Sequence, residues 1–197
     1  AASGSVSGQV AGPYGPIAPV ADQSTGLPLL QLPAGFRYTS FAWTGDTMLD
    51  GRPCPSNHDG MAVVVTRRVG RSDEHVLIRN HERGFGPASS MIMAPMRYDS
   101  GTSNAGSALG GTTNLVFRDD NWVSVEPSLG GTLINCGRGP TPWGSWLTCE
   151  ETLSNESSMH GKRHGYVFEV AANASQVSGN PIVGMGRFSH EAAAVDP

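Results

Sequence analysis

Glycine and proline interrupt this chain about once in every five residues, with 26 Gly and 14 Pro in 197 positions. Both residues break helices, so that spacing disfavours a helical bundle. What lies between the breaks is β-like. The runs FRYTSFAW, MAVVVTRR, HVLIRN, TNLVFRD, NWVSVEP, GTLINC, SWLTCEE, GYVFEV and MGRFSHEAAAV are rich in Val, Phe, Trp, Thr and Tyr. Most are bounded by Gly, Pro, Asn or Asp, the usual punctuation of strands. Only SSMIMAPMRY and the tail HEAAAV read as helical, and both are short. The expected class is therefore mainly β, as a sandwich, barrel or propeller. Residues 1–35, rich in Gly, Pro and Ser, are expected to form an irregular arm ahead of it.

Charge narrows the function classes. Charged residues make up only 15% of the chain, and 13 basic residues against 17 acidic ones leave a net charge of -4. The basic residues are scattered, so no nucleic-acid footprint is present. No apolar run approaches the ~20 residues of a membrane-spanning helix. The opening AASGSVSGQVAGPYGPIAP has neither the charged nor the apolar region of a signal peptide, and its small residues fit a mature N-terminus after cleavage or a trimmed start. The closing VGMGRFSHEAAAVDP reads as a strand entering a turn with no element to complete it, so the chain is expected to be part of something longer.

Five loops combine Gly or Pro with metal-ligating residue types: 50–62, 79–87, 106–115, 135–151 and 186–191. Loops of that composition often carry function. Cys136 and Cys149 are thirteen positions apart, which matches no CxxC zinc spacing. They read as a disulfide, as two buried thiols, or, for Cys136 in its Asn-Cys-Gly turn, as a thiolate facing a cavity; a free Cys136 is expected. Soft thiolate beside hard carboxylate suits iron better than calcium or magnesium. Strand alternation sends Glu150 and Glu151 to opposite faces, so only one of them can share a site with Cys136. His81-Glu82 and His190-Glu191 repeat a dipeptide outside any HExxH helix, which excludes a zincin. Each pair reads either as one inward glutamate ligand or as a hydrogen-bonded core histidine with a surface glutamate. Asp59-Gly60 reads as a calcium ligand or, slightly better, as an ordinary turn. Walker A, GxGxxG and GxSxG motifs are absent. Sequons occur at Asn155 and Asn173.

The segments LPAGFRY, MLDGRPCPSNHDGMA, IRNHE, GGTTNLVF, INCGRGPTPWGSWLTCEE, HGYVFEV and GRFSHEAAAVDP, in this order from about Leu32 to Pro197, resemble the PhoX-type alkaline phosphatases. The resemblance implies a six-bladed β-propeller of which residues 36–197 cover the N-terminal blades. It implies export to the bacterial periplasm or beyond by the twin-arginine route, and hydrolysis of phosphate monoesters, for some members also diesters. It further implies an iron (Fe3+) and calcium (Ca2+) site. Matched residue by residue, the iron-binding cysteine falls on Cys136 and glutamate ligands fall on Glu151 and Glu191. Glu82, and more weakly Asp59 and Asn80, extend that set, and Glu151 and Glu191 are expected to approach each other. Members of the family are longer, with later acids and a phosphate-gripping arginine. A chain ending at Pro197 is therefore expected to need the missing C-terminal part, supplied as a second chain, for full metal binding and activity.

The implied chemistry is physically coherent. A phosphate monoester is a dianion that hydrolyses very slowly, so charge neutralisation must supply most of the catalysis. Two other readings stay open: a non-catalytic propeller module stabilised by calcium, and a lactonase or esterase with a single metal.

Overall fold

The computed structural model describes residues 12–137, 139–154 and 162–196, and the chain falls into two compact units, one ending at Phe41 and one beginning at Ala42. In the first unit β1 (Ile17–Val20) and β2 (Leu30–Pro33) form an antiparallel hairpin. Asp22 organises its connection. The buried carboxylate accepts hydrogen bonds from Ser24 Oγ and Thr25 Oγ1 at 2.7 Å and from Ser40 N at 2.7 Å. FRYTSFAW, expected as a strand, is not one. Its groups cap this turn instead: Gln23 N donates to Tyr38 O at 3.0 Å, and Tyr38 Oη accepts from Leu29 N at 2.8 Å.

The second unit carries β3 (His58–Val69), β4 (Ser72–His81), β5 (Phe85–Gly86), β6 (Met96–Arg97), β7 (Ser107–Ala108), β8 (Gly110–Arg118), β9 (Asn121–Thr132), β10 (Asn135–Cys136), β11 (Ser145–Glu150) and β12 (Val167–Ala171). The main sheet runs β3-β4-β8-β9-β6, antiparallel except for β6 beside β9. Its hairpins are tight for local reasons. Arg118 pairs with Asn121, so only Asp119 and Asp120 turn the chain, and both have positive φ (51° and 59°). That is the conformation a two-residue hairpin turn demands, and Asp tolerates it. A second sheet runs β10-β11-β12, and β5 pairs with β7.

Between the two larger sheets Ile78, Leu129, Trp146, Phe168 and Val170 form the core, all at most 1% exposed. Burying a side chain of the Leu or Phe class contributes about 1.5–3 kcal/mol, so this cluster fixes how the two sheets face each other. Trp146 Nε1 adds a polar tie by donating to Asn80 Oδ1 across the gap at 2.9 Å.

Both expected helices are absent. In SSMIMAPMRY a single 3-10 turn at Ala88–Ser90 gives way to β6, because Tyr98 N and its neighbours bond to β9 instead (Tyr98 N to Gly130 O, 2.9 Å). HEAAAV is extended along Gly137 and Gly139, where any added Cβ would strike the backbone oxygens of Glu191 and Ala193. GTLINC breaks at Leu133–Ile134 because Ile134 takes φ 48° and Ile134 N bonds Arg83 O at 2.9 Å. Among the described residues the sheets form no closed propeller, and no helix is long and apolar enough to cross a membrane. Asn155 lies outside the described residues, whereas the exposed Asn173 uses its Oδ1 to cap the turn at Ala174–Gln176.

Candidate metal centre

β3 begins with a bulge. His58 pairs with His81 and Met61 with Arg79, so Asp59 and Gly60 together oppose Asn80. Bulges re-aim side chains, and this one places Asp59 on the wall of a cleft. The reading of Asp59-Gly60 as an ordinary turn is thereby corrected, since both residues belong to β3. Glu82 follows the end of β4, where its N–H donates to Asn57 O at 2.8 Å. Cys136 ends β10. One carboxylate oxygen each from Asp59 and Glu82 and the Cys136 Sγ all lie within 4.8 Å of one another.

Glu151, just after β11, and Glu191, in the segment beyond β12, reach the same cleft. Glu151 N bonds Ile134 O at 3.0 Å, and its carboxyl lines the cleft beside Cys136. Glu191 is brought in by its neighbour, because His190 N donates to Glu150 O at 3.0 Å. Asp59, Glu82, Cys136, Glu151 and Glu191 thus line one cleft of about 740 Å³, joined by His58 and Met61. Asn80 stands apart from them. It is buried, its Oδ1 accepts from Trp146 Nε1 and Thr148 Oγ1 (2.9 and 2.8 Å), and its Nδ2 donates to Gly137 O at 2.9 Å. It therefore supports the Cys136-Gly137 turn from behind.

Four of the five marked loops supply cleft residues. The segment 106–115 does not; its Gly110 lies so close to Asn135 Oδ1 that a Cβ would come within 2.4 Å. Cys136 and Cys149 are cross-strand partners, yet both are free, as is Cys54. Burial pushes the Cys136 thiol far above its ordinary pKa, and the hydrogen bond to Glu151 and the charges of Glu82 and Asp59 push it further. A cation among these donors reverses that balance, because it stabilises the thiolate and relieves the carboxylates. Three or more carboxylates offer hard oxygens suited to calcium, and the thiolate adds the soft ligand suited to iron. The donor set therefore fits both ions.

Alternation separates the two adjacent glutamates as their register requires. Glu151 faces the cleft, while Glu150 is fully buried and accepts from Leu133 N (2.9 Å), His164 Nδ1 (2.6 Å), Gly165 N (2.7 Å) and Tyr166 N (3.1 Å). In both His-Glu dipeptides the glutamate lines the cleft. His81 is buried, donating from Nδ1 to Ser56 O and accepting at Nε2 from Thr113 Oγ1, both at 3.0 Å. The 50–62 loop marked in the sequence holds His58 and Met61 on the cleft wall, although neither residue was singled out.

A family model described as alkaline phosphatase PhoX matches residues 12–129 and 124–197. The chain belongs to the PhoX alkaline phosphatase family. No curated protein and no solved structure matches it. The first PhoX segment contains Asp59 and Glu82 and the second contains Cys136, Glu151 and Glu191, so every cleft acid falls within matched sequence. PhoX membership makes the chain a phosphatase in general terms, in a family that depends on metal.

Two consequences can be measured. Gly137 has φ +91°, and a Cβ there would lie 1.9 Å from Glu191 O. Gly137→Ala is expected to cost at least ~1 kcal/mol from the backbone alone, and to push Glu191 out of the cleft. Denaturant melts and cation titration of the variant check both effects. The second consequence concerns acid. Burial, with Arg79 next, pulls the His81 pKa down to about 3 from 6.5. The unfolded chain then binds a proton that the folded one refuses, so stability is full above pH 6.5 and falls as pH drops from there toward 3. His81→Gln is expected to flatten that slope in urea melts between those limits.

Proposed function

We propose that the chain, together with the C-terminal part that the family resemblance implies, hydrolyses phosphate monoesters at an iron and calcium cluster to which it contributes Cys136, Asp59, Glu82, Glu151 and Glu191. The observation that carries this reading is the convergence of Asp59, Glu82 and Cys136 donor atoms within 4.8 Å, from three separate strand ends. Bound cations would neutralise the phosphoryl dianion and stabilise charge developing on its oxygens. Cys136 selects iron by its thiolate and the carboxylates favour calcium. Of the described residues lining the cleft none is Ser or Thr, so the reading assigns the attack on phosphorus to water. Asn80 and Gly137 hold the Cys136 turn, and the bulge in β3 holds Asp59.

The reading includes the architecture and address implied by the resemblance. The two larger sheets are taken as parts of a β-propeller, and the protein as one exported to the periplasm or the medium. The bulged, antiparallel β3-β4-β8-β9 sheet is compatible with a propeller blade. A chromogenic phosphate monoester, supplied with iron and calcium to the chain together with that C-terminal part, tests the activity. Turnover that chelator abolishes and both metals restore is expected. Turnover unaffected by chelator, or calcium alone with no hydrolysis, would count against it.

A further inference from the structure

We propose that a second cavity, walled by Arg52 and Arg83 and backed by Arg79, binds a small oxyanion of the inorganic phosphate class. The cavity measures about 490 Å³, and no acidic residue is among those described on its wall. The chain segments that shape the first cleft also shape this one. Glu82 faces the first and Arg83 the second; His58 lines the first, while Cys54 and Ser56 line the second. Acids and guanidiniums are thus sorted to separate cavities.

The unusual feature is cationic charge without a counter-charge. Arg79 is only 6% exposed. It donates to Ala42 O at 3.2 Å and to Cys54 Sγ at 3.1 Å, and its buried Nε has no hydrogen-bond partner. Arg83 donates from Nη1 to Ser90 O at 2.8 Å and Leu109 O at 3.3 Å, which pins it to the wall. Among the described residues no carboxylate lies within 4.0 Å of either guanidinium. Burial lowers the pKa of both, against which Arg79 is helped only by Cys54 and Arg83 by nothing. Withdrawing a cation from water without pairing it is costly, and an anion drawn into the cavity offsets that cost.

The nearby acids do not serve. Asp46 accepts from Trp43 N at 2.8 Å and Asp50 from Arg52 N at 3.0 Å, both in the outer loop. Arg52 Nη1 is 3.5 Å from Asp50, with the arginine side chain 54% exposed. An exposed pair of that kind contributes little, so an incoming oxyanion can displace it. Guanidiniums bind such oxygens in bidentate fashion. The hydroxyl-bearing Ser56 and Ser89 on the wall add hydrogen-bonding capacity. A divalent cation is excluded by the same charges.

Equilibrium dialysis of radiolabelled inorganic phosphate against the full chain, with chelator present to silence the acidic cleft, tests the inference. One saturable equivalent per chain is expected, and Arg52→Glu, which alters an exposed side chain, is expected to weaken it at least tenfold. Arg71→Gln, in the exposed β3–β4 turn, is the control and should leave the binding unchanged. The absence of a saturable equivalent, or equal binding by Arg52→Glu and the unaltered chain, would overturn the proposal. Cation-loaded chain, supplied with the C-terminal part that the resemblance implies, should bind one equivalent more; if only that extra equivalent is missing, the phosphatase reading fails and this site does not. Should chelation unfold the chain, as circular dichroism would report, the Arg52→Glu comparison on cation-loaded protein decides.

Discussion

Glu150→Gln is expected to destabilise the chain by about 2–6 kcal/mol, although it changes one oxygen into an amide nitrogen. Oε1 of the buried carboxylate serves Leu133 N and His164 Nδ1, and Oε2 serves Gly165 N and Tyr166 N. Glutamine keeps one acceptor oxygen, so two buried donors would face an NH₂ group instead. Each buried group left unsatisfied costs about 1–3 kcal/mol, against a total stability of about 5–15 kcal/mol for a domain. The damage would spread to the cleft, because Glu150 precedes Glu151 and its carbonyl holds His190 N beside Glu191. Chemical denaturation of both proteins measures the difference. Glu169→Gln is the matched control: Glu169 is exposed and accepts from Trp143 and Ser145, so it should lose under ~1 kcal/mol. Equal, small losses for both variants would show that Glu150 does not organise these strands.

Cys136→Ser is expected to lower phosphate monoester turnover by more than about a hundredfold. Loss of an outer-shell partner of a metal typically costs about 10–100-fold, and Cys136 is assigned as a ligand itself. Serine is close to cysteine in size and keeps the same neighbours in the cleft, so folding should survive while the soft donor disappears. Cys149→Ala supplies the contrast. Cys149 packs with Leu147 and Val167 in a buried cluster, and its removal leaves a void that lowers stability but spares the cleft. A Cys136→Ser protein with normal turnover would remove the thiolate from the mechanism.

Local chemistry was legible in the sequence; three-dimensional pairing was less so. The hairpin at Asp119-Asp120 and most of the longer strands follow from turn residues and β-propensity. Alternation alone placed Glu150 and Glu151 on opposite faces, and the Asn-Cys-Gly turn singled out Cys136. FRYTSFAW has strand composition, but Asp22 and the β1–β2 connection claim its backbone groups. HEAAAV has helix composition, yet the close backbone of Gly137 holds it extended. The resemblance extended weakly to Asn80 as a ligand, while its burial against Trp146 depends on a contact 66 residues away in sequence. The bulge that turns Asp59 into the cleft arises from the register between β3 and β4, which no single run of residues encodes.

The central claim is that Cys136 and the converging carboxylates hold iron together with calcium. Elemental analysis of the chain purified together with its C-terminal part, read alongside the visible absorption spectrum, tests this most directly. The account predicts both metals, and a thiolate-to-ferric charge-transfer band that Cys136→Ser removes while Cys54→Ser and Cys149→Ala retain it. Hydrolytically active protein without iron, or a Cys136→Ser variant with unchanged iron and an unchanged band, would contradict it.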